Sequence, residues 1–229
     1  MLKLPIIECT FIRRLNRFVG IVEVNGELKK ALITNTGRLK EFMVEGKRAF
    51  CIPKQGGKTE FVLIGFLEKN ERGAIIDTRT QARAFERAVE LGLIRWLKGC
   101  RIKKREVRIG NSRLDYLLEC KGEEIWAEMK SAILREGDYA MYPDCPSVRG
   151  QKHIKELIRL KANGKRAMII FIGALPGVRR FKPYIKGDPK IAELLKEAKK
   201  KGVEIRGISI SLLPNGEVIL ENEDLVVEV

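Results

Sequence analysis

At 229 residues and 45% hydrophobic side chains the chain can build one large or two modest domains, and 45 Lys and Arg against 30 Asp and Glu, a formal charge of +15, favour a polyanionic partner. The longest apolar stretch, AMIIFIGAL (167–175), is too short to cross a bilayer, and the N-terminus lacks the apolar run of a signal peptide, so a cytoplasmic setting without membrane attachment is expected. Five cysteines without a CxxC pair argue against a disulfide framework or structural zinc, and a single histidine excludes a two-histidine metal site.

Residues 1–75 read as all-β. EVNGELKKALI (23–33) forms a hairpin around Asn25-Gly26, a dipeptide suited to a primed turn. Strand-like runs follow at 48–52 and 60–67, separated by the Pro/Gly-rich PKQGGK. Short strands at this spacing predict a small OB-like β-barrel, either structural or nucleic-acid binding. GKT (57–59) imitates the end of a phosphate loop, but Ile52 stands where the first glycine is required, so nucleotide binding is rejected there.

From residue 76 the period changes, and 76–229 reads as a second, α/β domain with a central mixed sheet. A helix is predicted over 77–94, with Phe85, Ala88 and Val89 on its apolar stripe and Gly92 as its stop. Two strands follow, SRLDYLLEC (112–120) and EIWAEMKSA (124–132), joined around Lys121-Gly122. Next come a long loop over 135–150, a helix over 149–164 and a buried strand over 166–173. A further helix over 188–202 starts with Asp188 and Pro189 and ends at Gly202, before strands at 203–212 and 217–220.

The two strands carry the chemistry. Alternation puts Glu128 and Lys130 on one face, about 7 Å apart, and turns Ile125, Ala127 and Met129 to the other. A hairpin register can bring the Asp115 carboxylate beside Glu128. Two carboxylates can hold a hard divalent cation such as Mg²⁺ or Mn²⁺, and a neighbouring lysine can position or activate a water. That is the minimum equipment for phosphodiester hydrolysis; the competing reading is a surface hairpin with scattered charges. The basic residues are concentrated nearby. Residues 149–186 hold eleven Lys and Arg against one acid, Glu156, whereas 204–229 hold six acids and only Arg206. Arg149, Lys152, Lys155 and Arg159, with Arg113 on the first strand, are the candidate phosphate contacts. A charged fraction of 33% with only three Gln points to a thermophilic source.

The order of elements, with an acid on the first helix, Asp on one strand and Glu-x-Lys on the next, resembles the PD-(D/E)xK nuclease core. TNTGRLKEF (34–42), GNSRLDYLL (110–118), AEMKSA (127–132), YPDCPSVRGQKH (142–153) and DPKIAELLKEA (188–198) together resemble the sugar fermentation stimulation protein A family over nearly the whole chain. The resemblance implies an OB-like domain followed by a PD-(D/E)xK-type domain, and non-specific DNA binding. It implies Asp115 and Glu128 as metal ligands, Lys130 beside the attacking water, Glu86 as the helix acid with Glu90 as competitor, and Gln151 as the glutamine of the following helix. Leu114-Asp115 takes the place of the motif's Pro-Asp, and Met129 stands where Val is commoner.

His153 lies between Lys152 and Lys155, where it can contact phosphate, support the site from behind, or simply pack. Trp126, on the face of Glu128, and Trp96 can stack on bases or fill core. Two functions remain open. One is a metal-dependent nuclease acting on DNA, with RNA not excluded; the other is a non-catalytic DNA-binding regulator that keeps a nuclease fold.

Overall fold

The computed structural model describes residues 1–68, 71–110 and 112–229. Strand β1 (Leu2–Lys3) precedes five strands, β2 (Ile7–Arg14), β3 (Val19–Val24), β4 (Glu27–Leu32), β5 (Arg48–Pro53) and β6 (Phe61–Leu67). They hydrogen-bond in the order β4-β3-β2-β5-β6, and a β4–β6 pairing closes the ring, giving the OB barrel. The β3–β4 turn has φ of 51° at Asn25 and 80° at Gly26, the left-handed pair that an Asn-Gly hairpin supplies. Phe11, Phe50, Leu63 and Phe66 fill the interior at 0–1% exposure.

The barrel continues into the second half of the chain. Strand β7 (Gly73–Ile75) pairs with β6, and its Gly73 also faces Leu212. Gly65 is required here, because a Cβ would lie 1.9 Å from the Ala74 carbonyl oxygen. Helix α1 (Thr78–Glu90) follows, N-capped by Asp77, whose carboxylate accepts the Thr80 N–H at 2.7 Å. Its buried stripe includes Ala84, Phe85, Ala88 and Val89, and the chain leaves it through Gly92 at φ 66°.

Three antiparallel strands come next: β8 (Cys100–Ile109), β9 (Ser112–Cys120) and β10 (Glu123–Ser131). The sequence reading missed β8. Six of its ten residues are charged, so neither a period of two nor an apolar face stands out. A single disulfide joins Cys100 to its cross-strand partner Cys120, a bond not anticipated, since the cysteine spacing argues against a disulfide framework. The predicted long loop also contains structure. Strands β11 (Leu134–Glu136) and β12 (Tyr139–Tyr142) lie there, followed by a cis Tyr142-Pro143 bond.

Helix α2 (Val148–Ala162) is capped by Ser147, β13 (Arg166–Gly173) is almost wholly buried, and β14 (Arg180–Pro183) pairs parallel with β12. Helix α3 (Pro189–Lys200) has Asp188 as N-cap and Pro189 in its first turn. Strands β15 (Glu204–Leu212), β16 (Glu217–Asn222) and β17 (Val226–Val227) end the fold. The α/β sheet runs β15-β13-β10-β9-β8, mixed in direction, and reaches the barrel through β7. The first strand adds a second fastening, since β1 pairs with β16, not with the barrel. No helix among the described residues is long and apolar enough to cross a membrane.

Candidate active site

The β9–β10 hairpin builds the site. Its ladder runs from Glu123↔Cys120 to Ala127↔Tyr116, and the next step sets Glu128 opposite Asp115. There side chains replace the regular ladder bonds. The Met129 N–H donates to Asp115 Oδ2 at 2.9 Å, and the Asp115 N–H donates to Glu128 Oε2 at 3.3 Å. Each carboxylate is thus aimed by the other strand's backbone. Lys130, two residues beyond Glu128 on the same face, donates from Nζ to Glu128 Oε1 at 2.5 Å.

Both residues are buried, Glu128 at 2% and Lys130 at 9% exposure, so the hairpin is no surface ribbon. Parallel pairing of β10 with β13 and the packing of α2 cover the outer side of these strands. The same helix supplies a partner for which the sequence leaves phosphate contact, support from behind and packing all open. His153 is 3% exposed and its Nδ1 lies against Glu128 Oε1. It therefore supports the carboxylate from behind and faces no solvent phosphate.

Electrostatics separate the two acids. Burial and the adjacent Glu128 charge push the Asp115 carboxyl up to about 6, despite the opposing pull of Lys130. Burial also works against the Glu128 carboxylate, but the Lys130 charge and the His153 hydrogen bond outweigh it and hold that group below the usual range. Lys130 is subject to the same desolvation, yet the Glu128 charge keeps its ammonium above the ordinary lysine value.

Asp115, Glu128 and Lys130 open into a cavity of about 1060 Å³ between the barrel and the α/β half. Its walls include Arg17 and Asn35 from the barrel side, Glu86 from α1 and Arg149 from α2. Glu86 borders this cavity, whereas Glu90 pairs with Arg87 at the surface. The Glu86 oxygens are engaged, accepting from Arg105 Nε at 2.8 Å and from the Tyr116 hydroxyl at 3.2 Å. Glu86 therefore borders the cavity with its carboxylate committed to Arg105 and Tyr116, and does not join Asp115 and Glu128 in one acidic cluster. Gln151 is not turned to the carboxylates either. Its amide donates to both oxygens of Asp188, at 3.0 and 3.2 Å.

Arg149, Lys152, Lys155 and Arg159 are exposed along one side of α2. The last three border a groove of about 530 Å³ with Gly110 and Ser112, and Val148 joins this groove to the main cavity. Arg113 lies apart, paired with Glu106 at 3.5 Å. Asn111, within the GNSRLDYLL string, falls outside the described residues. The tryptophans pack inward: Trp96 donates to the Glu223 carbonyl at 2.6 Å, and Trp126 rests on the core. The exposed aromatic bordering the cavity is Phe18, which the sequence reading passed over because a lone Phe in a basic turn has no periodic signal.

Among the described residues no group of three or more His, Cys, Asp or Glu comes together. Asp115 and Glu128 nevertheless suit a hard cation that keeps much of its own water. Asp115 Oδ1 accepts no hydrogen bond among the described residues, and Glu128 Oε2 holds only the long bond from Asp115.

Two family models match the chain. The SfsA N-terminal OB domain covers residues 12–76, and the sugar fermentation stimulation protein RE domain covers 79–216. A sugar fermentation stimulation protein homolog of Pyrococcus furiosus is 62% identical over 219 residues, covering 96% of this chain and 95% of its own length. The homolog of Archaeoglobus fulgidus is 45% identical over 222 residues, covering 96% and 95%. A solved structure, Pyrococcus furiosus SfsA in complex with Ca²⁺, superposes with a TM-score of 0.95 at 59% identity over 100% of both chains. With an OB barrel and an α/β half in the order these models require, the chain belongs to the sugar fermentation stimulation protein family.

Proposed function

We propose that this protein is a non-specific DNA-binding protein and a divalent-metal-dependent nuclease. The observation that carries the reading is the meeting of Asp115, Glu128 and Lys130 at the buried base of a large cleft edged by arginines. Asp115 and Glu128 would hold Mg²⁺ or Mn²⁺. A metal bound there supplies charge for the scissile phosphate and a more acidic water. The Ca²⁺ named for the Pyrococcus furiosus structure supports a site for a hard, oxygen-seeking cation.

The chain's own groups divide the remaining work. Backbone N–H groups of Met129 and Asp115 fix the carboxylates, while His153 and Lys130 hold Glu128 from one side and leave Oε2 toward Asp115. Lys130 presents a buried ammonium that can orient a water once Glu128 turns to a cation. Arg149 and the basic side of α2 attract the phosphate backbone without reading sequence. RNA is open to the same contacts.

A second reading rests on one observation. Glu128 Oε1 is shared by Lys130 and His153, so this oxygen already has two protein partners without any cation. That arrangement favours a DNA-binding protein that retains the nuclease fold but does not cleave.

The deciding experiment incubates the protein with single-stranded, duplex, nicked and branched DNA, in Mg²⁺ or Mn²⁺ against chelator. Cleavage that requires metal and disappears in Asp115→Asn and Glu128→Gln, together with loss of calorimetric Mn²⁺ binding in both folded variants, supports the nuclease. Binding of DNA without cleavage under any divalent ion leaves the second reading.

A further inference from the structure

The base of the cleft is charged, but its rim carries an apolar side chain that folding does not explain. Phe18, in the β2–β3 turn, is 53% exposed and lines the cavity beside Arg17. One exposed aromatic is ordinary; the turn that presents it is not. The half-buried Arg14 donates to the carbonyl oxygens of Asn16 at 3.1 Å, Arg17 at 2.9 Å and Gly37 at 2.7 Å. The Asn16 side-chain oxygen accepts the N–H groups of Phe18 at 2.9 Å and Val19 at 3.1 Å. These bonds hold the turn so that the ring stands in solvent and does not fold onto the barrel. A ring fixed in this way loses little further freedom when a ligand covers it.

A second apolar tip meets the same space. Val148, 79% exposed, lines the cavity at the start of α2, and Arg149 follows it. Arg17 and Arg149 thus accompany Phe18 and Val148 around the entrance. A phosphodiester that reaches Glu128, itself 2% exposed, has to pass this rim. An intact duplex offers phosphates and groove edges there, which the arginines suit and the apolar tips do not. An unstacked base offers a π-face, which suits an aromatic ring regardless of sequence.

We propose that Phe18 is a base-stacking platform and that the cleft takes a single-stranded stretch of nucleic acid with an unpaired base at its rim. Arg17 and Arg149 hold the adjoining phosphates, and Val148 covers the base edge. The inference rests on the nucleic-acid reading above and narrows its substrate class.

The test is fluorescence anisotropy in chelator, using a labelled single strand and a hairpin-closed duplex of the same sequence. The wild type binds the single strand more tightly. Phe18→Ala weakens that binding by at least about fivefold and changes the closed duplex by less than about twofold, whereas Phe18→Trp keeps single-strand affinity. Phe18→Ala without effect on the single strand, equal weakening of both probes, or a wild-type preference for the closed duplex overturns the stacking role while nucleic-acid binding stands. A wild type that binds neither probe overturns both.

Discussion

His153 Nδ1 lies against Glu128 Oε1, joining the middle of α2 to the centre of β10 across 25 residues of sequence. Both side chains are almost fully buried, so the contact aims the carboxylate. Removing the imidazole leaves Lys130 as the remaining side-chain partner of that oxygen and opens a small void.

The first prediction follows from that pair. His153→Ala costs about 1–3 kcal/mol of stability, the penalty of a buried group deprived of its partner. It also weakens Mn²⁺ binding by about tenfold or more, as loss of an outer partner does at metal sites. Chemical denaturation in chelator and calorimetry with metal check the two effects separately. Full stability with full metal affinity contradicts the orienting role.

Lys130 separates catalysis from binding. Lys130→Met keeps the buried volume and removes the charge. The expected result is at least about a 10²-fold loss of cleavage rate at saturating DNA, with affinity for DNA nearly unchanged. An unchanged saturated rate with weaker binding assigns the ammonium to phosphate contact instead.

The raised Asp115 pKa has a signed consequence for stability without metal. The ordinary value is 3.8 and the folded value is about 6, so between these the native state holds a proton that the unfolded chain has released. The Asp115 contribution to stability therefore falls as pH rises from about 4 to 6 and stays low above that. Asp115→Asn, neutral throughout, gains in Tm relative to the wild type between pH 4 and pH 8 in chelator. A constant difference across that range refutes the shift.

The phosphate contacts proposed for α2 carry an expectation for salt dependence. Arg149→Ala and Lys155→Ala each weaken binding of unrelated DNA sequences about equally and flatten the log-log salt slope by about one. Titrations at several salt concentrations measure it. A sequence-dependent loss would move these residues from backbone contact to base readout.

Much of this architecture was legible in the residues. A period of two in 112–120 and 124–132 gave the hairpin, and the Glu-x-Lys spacing gave the shared face of Glu128 and Lys130. Asp188-Pro189 and Gly202 marked α3 because capping chemistry is local. What stayed hidden depended on distant partners. The burial of His153 is set by what α2 packs on, and its flanking lysines suggested a surface position. β8 was masked by its charges, and without it the pairing of Cys100 with Cys120 had no geometric basis. Gln151 carried the expected residue type at the expected place, yet Asp188, 37 residues away, claims its amide.

The two halves of the molecule are stitched together twice, by β7 between β6 and β15 and by β1 along β16. Two seams restrain the barrel against the α/β half more than one would. Under the proposed function, the gap between barrel and α/β half then acts as a restrained gauge for an entering nucleic acid. Selection would come from how readily the substrate deforms, with the protein as the stiff member of the pair. Cutting away the first few residues would loosen one seam and let the gauge widen.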